Sequence, residues 1–202
     1  IWAKHTTWGD GHQYLISQYE NTNNRWYFRV QSGSPPRFQL YTKIGGSDSG
    51  QNGFYGVPTN EPLLSNLNNQ WVNFCLSSDR DGQNKGYING VFNDDDSGST
   101  ATMDNGGNIE IAKYNTARFG GGISELVLYD KALSSSEVAT IYNGREPYNH
   151  KEGVCSSNLT GWWRMGDGLE RASGSTIYDM SSNTNNGTIN HMASDAFKGD
   201  TP

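Results

Sequence analysis

Eight short segments before residue 130 alternate apolar with polar positions, and this period of two restricts the fold more than anything else in the chain. They are residues 1–6, 14–19, 26–30, 38–42, 71–77, 86–92, 109–113 and 123–129. Successive side chains of a strand point to opposite faces, so each segment offers one apolar face to a core and one polar face to water. The separators are rich in Gly, Asn, Asp and Ser, with Asn-Gly pairs at Asn52, Asn89, Asn105, Asn143 and Asn186. Such pairs favour the positive-φ turns that close hairpins. The pattern predicts an all-β, antiparallel two-sheet sandwich.

Composition agrees with that and removes other classes. Only 33% of the 202 residues are hydrophobic, yet 12% are aromatic and 25 are Gly. Large flat rings bury much area each, so a sheet protein closes a core with few of them. Helical bundles and coiled coils need far more Leu, Ala, Glu and Lys. A formal net charge of −6 argues against nucleic acid or an anionic membrane as partner. No apolar stretch approaches the roughly 18 residues of a membrane helix, so membrane insertion is not expected. The alternation begins at Ile1-Trp2-Ala3-Lys4, so the chain reads as starting inside a domain.

One segment departs from the β pattern. Ser134-Ser135-Ser136-Glu137 is a capping box, and Val138, Ile141 and Tyr142 continue it as one apolar stripe. A short helix over about 134–143 follows, with Gly144 expected as its left-handed cap and Pro147 preventing continuation. A polar linker spans 146–157, and a second β pattern occupies 158–202, led by Leu159–Met165.

Phe119-Gly120-Gly121-Gly122-Ile123-Ser124-Glu125-Leu126-Val127-Leu128-Tyr129-Asp130, leading into the capped helix, resembles the closing signature of laminin-G-like jelly rolls in the concanavalin A-like lectin/glucanase superfamily. Trp71-Val72-Asn73-Phe74 followed by Gly86-Tyr87-Ile88-Asn89-Gly90 is similar to the family's central hairpin. The resemblance covers most of 1–145 and implies a jelly-roll sandwich lacking its usual first strand, with the helix plugging one open end. Gly120 to Gly122 would remove side chains where the strand passes close to a neighbour. Leu159-Thr160-Gly161-Trp162-Trp163 and the turn Asp179–Thr188 look like the family's first strand and first turn, displaced to the end. Three readings follow: a permuted strand folding back, the start of a tandem unit, or a strand donated to a neighbour through Trp162 and Trp163 as in a homo-oligomer or fibre.

Catalysis is not expected. A glycosidase needs two carboxylates about 5–10 Å apart across the sugar. Glu110, Glu125 and Glu137 stand apart from other acids, and Asp94-Asp95-Asp96 reads as a solvated hairpin tip. Nucleophile-elbow, zinc-protease, phosphate-loop and Cys-x-x-Cys motifs are missing. Cys75 and Cys155 define no disulfide framework.

Two binding chemistries remain. The resemblance implies calcium at the turn carrying Asp179, Asn183 and Asn185, assisted by Asp167, though these side chains could equally bond their own backbone. Asp79-Arg80-Asp81-Gly82-Gln83-Asn84 ranks lower because it lacks a bidentate Glu and reads as a turn. For a glycan, Trp8, Asp10 and His12, together with Tyr55, combine an aromatic platform with polar forks; loop packing is the competing account. The function expected is a non-catalytic, calcium-carrying module that binds a glycan or a surface protein at an extracellular, cell or virion surface. The competing expectation is a structural subunit assembled by strand donation, with a glycan hydrolase a distant third.

Overall fold

The computed structural model describes residues 1–33, 36–53, 64–79, 82–97, 106–146, 148–165 and 175–190. Its elements in chain order are β1 (Trp2–Lys4), β2 (Gln13–Asn21), β3 (Asn24–Gln31), β4 (Arg37–Ile44), β5 (Ser47–Gly53), β6 (Trp71–Ser78), β7 (Gln83–Ile88) and β8 (Val91–Ser97). They continue with β9 (Ile109–Ile111), β10 (Lys113–Tyr114), β11 (Ala117–Arg118), β12 (Gly122–Ser124), β13 (Leu126–Tyr129), α1 (Ser135–Tyr142), β14 (Leu159–Trp163), β15 (Thr176–Ile177) and β16 (Gly187–Thr188).

Two five-stranded antiparallel sheets form the sandwich. The first has the order β12-β1-β6-β7-β8 and the second β5-β4-β3-β2-β9. Alternation sends Ala3, Val72, Phe74 and Ile88 inward from the first, and Ile16, Trp26, Phe28, Val30, Phe38 and Leu40 inward from the second. Each of the larger aliphatic and phenylalanine side chains among these contributes roughly 1.5–3 kcal/mol on leaving water. Trp8 and Phe119 join this core from the connections.

Local chemistry accounts for the turns and the helix. Asn89 (φ 51°) and Gly90 (φ 76°) make the two-residue turn between β7 and β8. A Cβ on Gly90 would also stand 2.7 Å from the Tyr142 ring, so this turn and α1 pack directly. Asp94 and Asp95 stand within β8, opposite Gly86 and Lys85, not at a hairpin tip. The tip falls at Asn89-Gly90 because these residues accept positive φ most cheaply. In the 119–122 run, Gly121 is the obligatory small residue: its Cβ would lie 2.2 Å from the Lys4 carbonyl oxygen, while nothing stands near Gly120.

The capping box forms as expected, Ser134 accepting from the Glu137 amide and the Glu137 carboxylate accepting from the Ser134 amide. The left-handed cap residue is Asn143 (φ 51°), one position earlier than expected. The helix does not plug an end of the sandwich. It lies on the outer face of the first sheet, where Val138 and Leu133 pack on Tyr87 and Cys75, the residues that alternation turns away from the core. Tyr142 stacks on Trp2 at 5.6 Å, on the same side.

Glu125 (φ 50°) interrupts the predicted 123–129 strand. Before it, β12 pairs with β1; after it, β13 pairs antiparallel with β14, Leu126 opposite Trp163 and Val127 opposite Trp162. Trp163 thereby enters the main core of its own chain. No helix among the described residues is long and apolar enough to cross a membrane.

Candidate functional site

The outer face of the second sheet carries the densest array of aromatic and cationic side chains in the described structure. Strands β2, β3 and β4 pair so that Tyr14 stands opposite Arg29, and Tyr27 opposite Tyr41. Because Phe28, Val30 and Leu40 face inward, Tyr27, Arg29, Gln39 and Tyr41 must face outward. Tyr27 and Tyr41 stack at 4.8 Å, and Tyr14 meets Tyr27 edge-on at 5.1 Å. Tyr114 on β10 stacks against Tyr14 at 4.8 Å and meets Tyr27 at 4.7 Å. Tyr19 extends the array toward the β2–β3 turn, its ring 5.7 Å from Tyr114.

Two guanidinium groups are built into it. Arg29 sits 4.8 Å over the Tyr27 ring and donates to Gln39 Oε1 (2.9 Å) and the Tyr14 hydroxyl (3.1 Å). Arg25 lies 5.6 Å over Tyr41 and is half-buried. Gln39 is 1% exposed and Arg29 7%, so both polar heads are locked by partners and not solvent. Burial pushes the Tyr27 hydroxyl up to about 12 against the opposing pull of Arg29, so it stays a neutral donor. The inner rings are thus a rigid backing, and Tyr19, Tyr114 and Arg25 form a half-exposed rim.

Of the residues expected to bind a glycan, His12 is exposed at the edge of this array, 6.3 Å edge-on to Tyr14. Its Nδ1 accepts from the Ser32 amide. Asp10 is exposed in the turn before β2, its carbonyl accepting from Gln13 Nε2. Trp8 is 3% exposed, its Nε1 donates to the Leu67 carbonyl, and Phe74 and Phe119 flank its ring. It belongs to the core and offers no platform. Tyr55 lies outside the described residues, as does Asp167. The tyrosine array escapes sequence reasoning because its members come from four strands spread across residues 14–114.

The expected metal residues meet around the end of β14. Asp179 Oδ1 accepts from the Trp162 and Ser181 amides (2.9 and 2.8 Å), and Oδ2 from the Ser181 hydroxyl and the Asn185 amide (2.8 and 2.9 Å). A carboxylate has about four lone-pair sites, and all four are taken. Burial alone would raise the Asp179 pKa, but these donated bonds outweigh it and hold the group below its usual range. Asn183 and Asn185 both turn their amide nitrogens to the Thr160 carbonyl (3.0 and 3.3 Å). In this arrangement the donor set does not fit a calcium ion; it clasps the turn to β14. Among the described residues no three His, Cys, Asp or Glu side chains gather as a metal site. Asp79 and Gly82 form the β6–β7 turn, with the Gly82 amide donating to the Asp79 carbonyl.

The isolated glutamates have structural partners. Glu110 pairs with Lys113, Glu137 with Lys131, and Glu125 with Trp162 Nε1 (2.5 Å) and Arg164 (3.3 Å). His150, 4% exposed, lies 2.7 Å from the Tyr129 hydroxyl and edge-on to Trp162 at 5.0 Å. Burial lowers its pKa to about 3, so it is neutral.

The family model described as the concanavalin A-like lectin/glucanases superfamily matches residues 1–139, more than half of the chain. The chain belongs to that superfamily. Among solved structures, this jelly roll is similar to a candidate carbohydrate-binding protein from Bacteroides ovatus, with 16% identity and a TM-score of 0.59 over 93% of the chain. The match spans 52% of that protein's own length. It is also similar to the native heptameric SAP-like pentraxin of Limulus polyphemus, with 19% identity, a TM-score of 0.54, and coverage of 96% of this chain and 82% of that one. No curated protein sequence matches the chain. At such identities these likenesses show the shared fold.

Proposed function

We propose that this chain is a non-catalytic carbohydrate-binding module that receives a glycan across the tyrosine–arginine face of its second sheet. The observation that carries the reading is the half-exposed rim of Tyr19, Tyr114 and Arg25, held in place by the buried rings of Tyr14, Tyr27 and Tyr41 with Arg29 pinned among them. Sugars present apolar C–H faces and hydroxyl edges, so they suit rings flanked by guanidinium and amide groups. Membership of a lectin-containing superfamily and the likeness to the Bacteroides ovatus protein support it. Pre-stacked rings also reduce the ordering cost that binding imposes on loose side chains. The partners held by Glu110, Glu125 and Glu137 support a module without catalysis.

A glycan array followed by titration calorimetry tests this. Tyr114→Ala and Arg25→Ala, at the half-exposed rim, should each weaken the best glycan at least tenfold while the circular dichroism spectrum stays unchanged. Absence of any glycan ligand, or parental affinity in both variants, would overturn the reading.

A further inference from the structure

Charge is unevenly placed on this chain. The strands of the second sheet, with β10 beside β2, carry Arg25, Arg29, Arg37, Lys43 and Lys113 against Glu20, Asp48 and Glu110, a net of +2. The whole chain carries −6, so the remainder sums to −8. On β3 and β4 the cations share one face: Arg25, Arg37 and Lys43 have the same parity as Tyr27, Arg29, Gln39 and Tyr41, which point outward. Arg25 stands directly opposite Lys43 in the ladder, a like-charged pairing that costs stability. Across its other flank Lys43 stands opposite Asp48, and Glu110 is paired to Lys113.

The two guanidinium groups of β3 have neutral acceptors. Arg29, 7% exposed, donates to an amide oxygen and a phenol. Arg25 donates to the Thr22 carbonyl and the Tyr41 hydroxyl (3.5 Å), and its Nε has no partner. Among the described residues no carboxylate pairs with either group. A charge drawn out of water ordinarily keeps a counter-charge beside it. Burial raises the pKa of the Tyr114 hydroxyl and the charge of Arg25 opposes that rise, so the guanidinium lies within electrostatic reach of this ring. Tyr19 adjoins Tyr114 at 5.7 Å, which puts two half-exposed rings beside one half-exposed cation.

Resting on the carbohydrate reading above, we infer that the glycan received on this face is an acidic one, its carboxylate or sulfate seated on Arg25 and a neighbouring sugar ring lying against Tyr114 and Tyr19. A guanidinium fork binds either anion through two parallel N–H bonds. At the half-dry rim that pairing is stronger than in open water. An acid group there also relieves the repulsion between Arg25 and Lys43. The acidic remainder of the molecule repels the same ligand and steers it to this face. Arg37 and Lys43 lie six residues apart on β4, roughly 20 Å, so the face suits an oligosaccharide with repeated acid groups.

The test titrates the protein with a panel of hexuronate oligosaccharides and sulfated galactan oligosaccharides, each beside its carboxyl-reduced or desulfated counterpart. The charged member of the best pair should bind at least tenfold more tightly than its neutral twin. Raising salt from about 0.1 M to about 1 M shortens the Debye length from about 10 Å to about 3 Å and should erase most of that preference. Arg25→Gln, which removes the charge and keeps a polar side chain, should weaken the charged member about tenfold and the neutral one less than twofold, with an unchanged circular dichroism spectrum. Lys151→Gln, at an exposed loop position, should leave both at the parental value. Equal binding of charged and neutral members, or an equal loss in Lys151→Gln, would overturn the acidic class and leave the carbohydrate reading standing. Failure of every glycan, charged or neutral, would overturn both.

Discussion

On the outside of the first sheet, Cys75 and Tyr87 meet Leu133 and Val138, and the helix seals them as a small apolar core. On the outside of the second, Tyr27 and Arg29 meet further tyrosines, a glutamine and a second guanidinium. Both faces obey the same pleat, which says only that every second residue leaves the main core. What receives those residues differs. The helix offers the first face an apolar stripe, to which burial alone is sufficient. The second face is filled by side chains with both an apolar body and a polar tip, and these keep directional groups near the surface. The first face packs the helix in place; the second is the face proposed above to receive a polar partner.

The sharpest break between the two should come from the tail that backs the sealed side. Trp162 is 6% exposed and contacts His150 and Glu125, so Trp162→Ala should cost about 4 kcal/mol in urea unfolding, within the usual range for such truncations. A loss below about 1 kcal/mol would show that the tail adds little to the sandwich. Asp179→Ala leaves three amides without their acceptor and should cost about 3 kcal/mol. Millimolar calcium or a chelator should leave the parental Tm unchanged; a clear rise with calcium would show the carboxylate trading its donors for a cation.

Acid should act on the sealed side first. His150 has a folded pKa of about 3 against an unfolded value of about 6.5, so between these values the unfolded chain binds the extra proton. Its contribution is fully present above the unfolded value and lost as pH falls, about 2 kcal/mol less at pH 5 than at pH 7. Asp179, also depressed, adds its loss only below its unfolded pKa of about 3.9. In His150→Gln the drop between pH 7 and pH 5 should largely vanish; an unchanged drop would assign it to other groups. The smallest stability effect belongs to the polar face. Tyr114→Ala, at a half-buried rim position, should shift unfolding by under about 1 kcal/mol. A loss comparable to that of Trp162→Ala would make the tyrosine array a second core and erase the contrast.

Much of this was legible in the chain. All eight alternating segments fall where strands occur, though 86–92, 109–113 and 123–129 each span two strands, broken at Asn89-Gly90, Ala112 and Glu125, and Ser134 to Glu137 predicts the helix start to the residue. Strand β5 was missed because Ser47–Gly53 has no apolar alternation; its pairing with β4 places it. The break at Glu125 was missed because a positive φ at glutamate leaves no sequence signal.

Alternation, Asn-Gly turns and the capping box act over two to four residues, so the amino-acid sequence alone determined the β class, the turns and the short helix. The helix came to rest on the outer face and not at an end because Leu133 and Val138 find Tyr87 there, 46 to 51 residues away in the chain. Asp179 became a clasp because folding brought the Trp162 amide to its carboxylate. Tyr14 and Tyr114 became neighbours only when β10 settled over β2. Such contacts join residues far apart in sequence, and only closure of the two sheets selects among the partners that local chemistry leaves open.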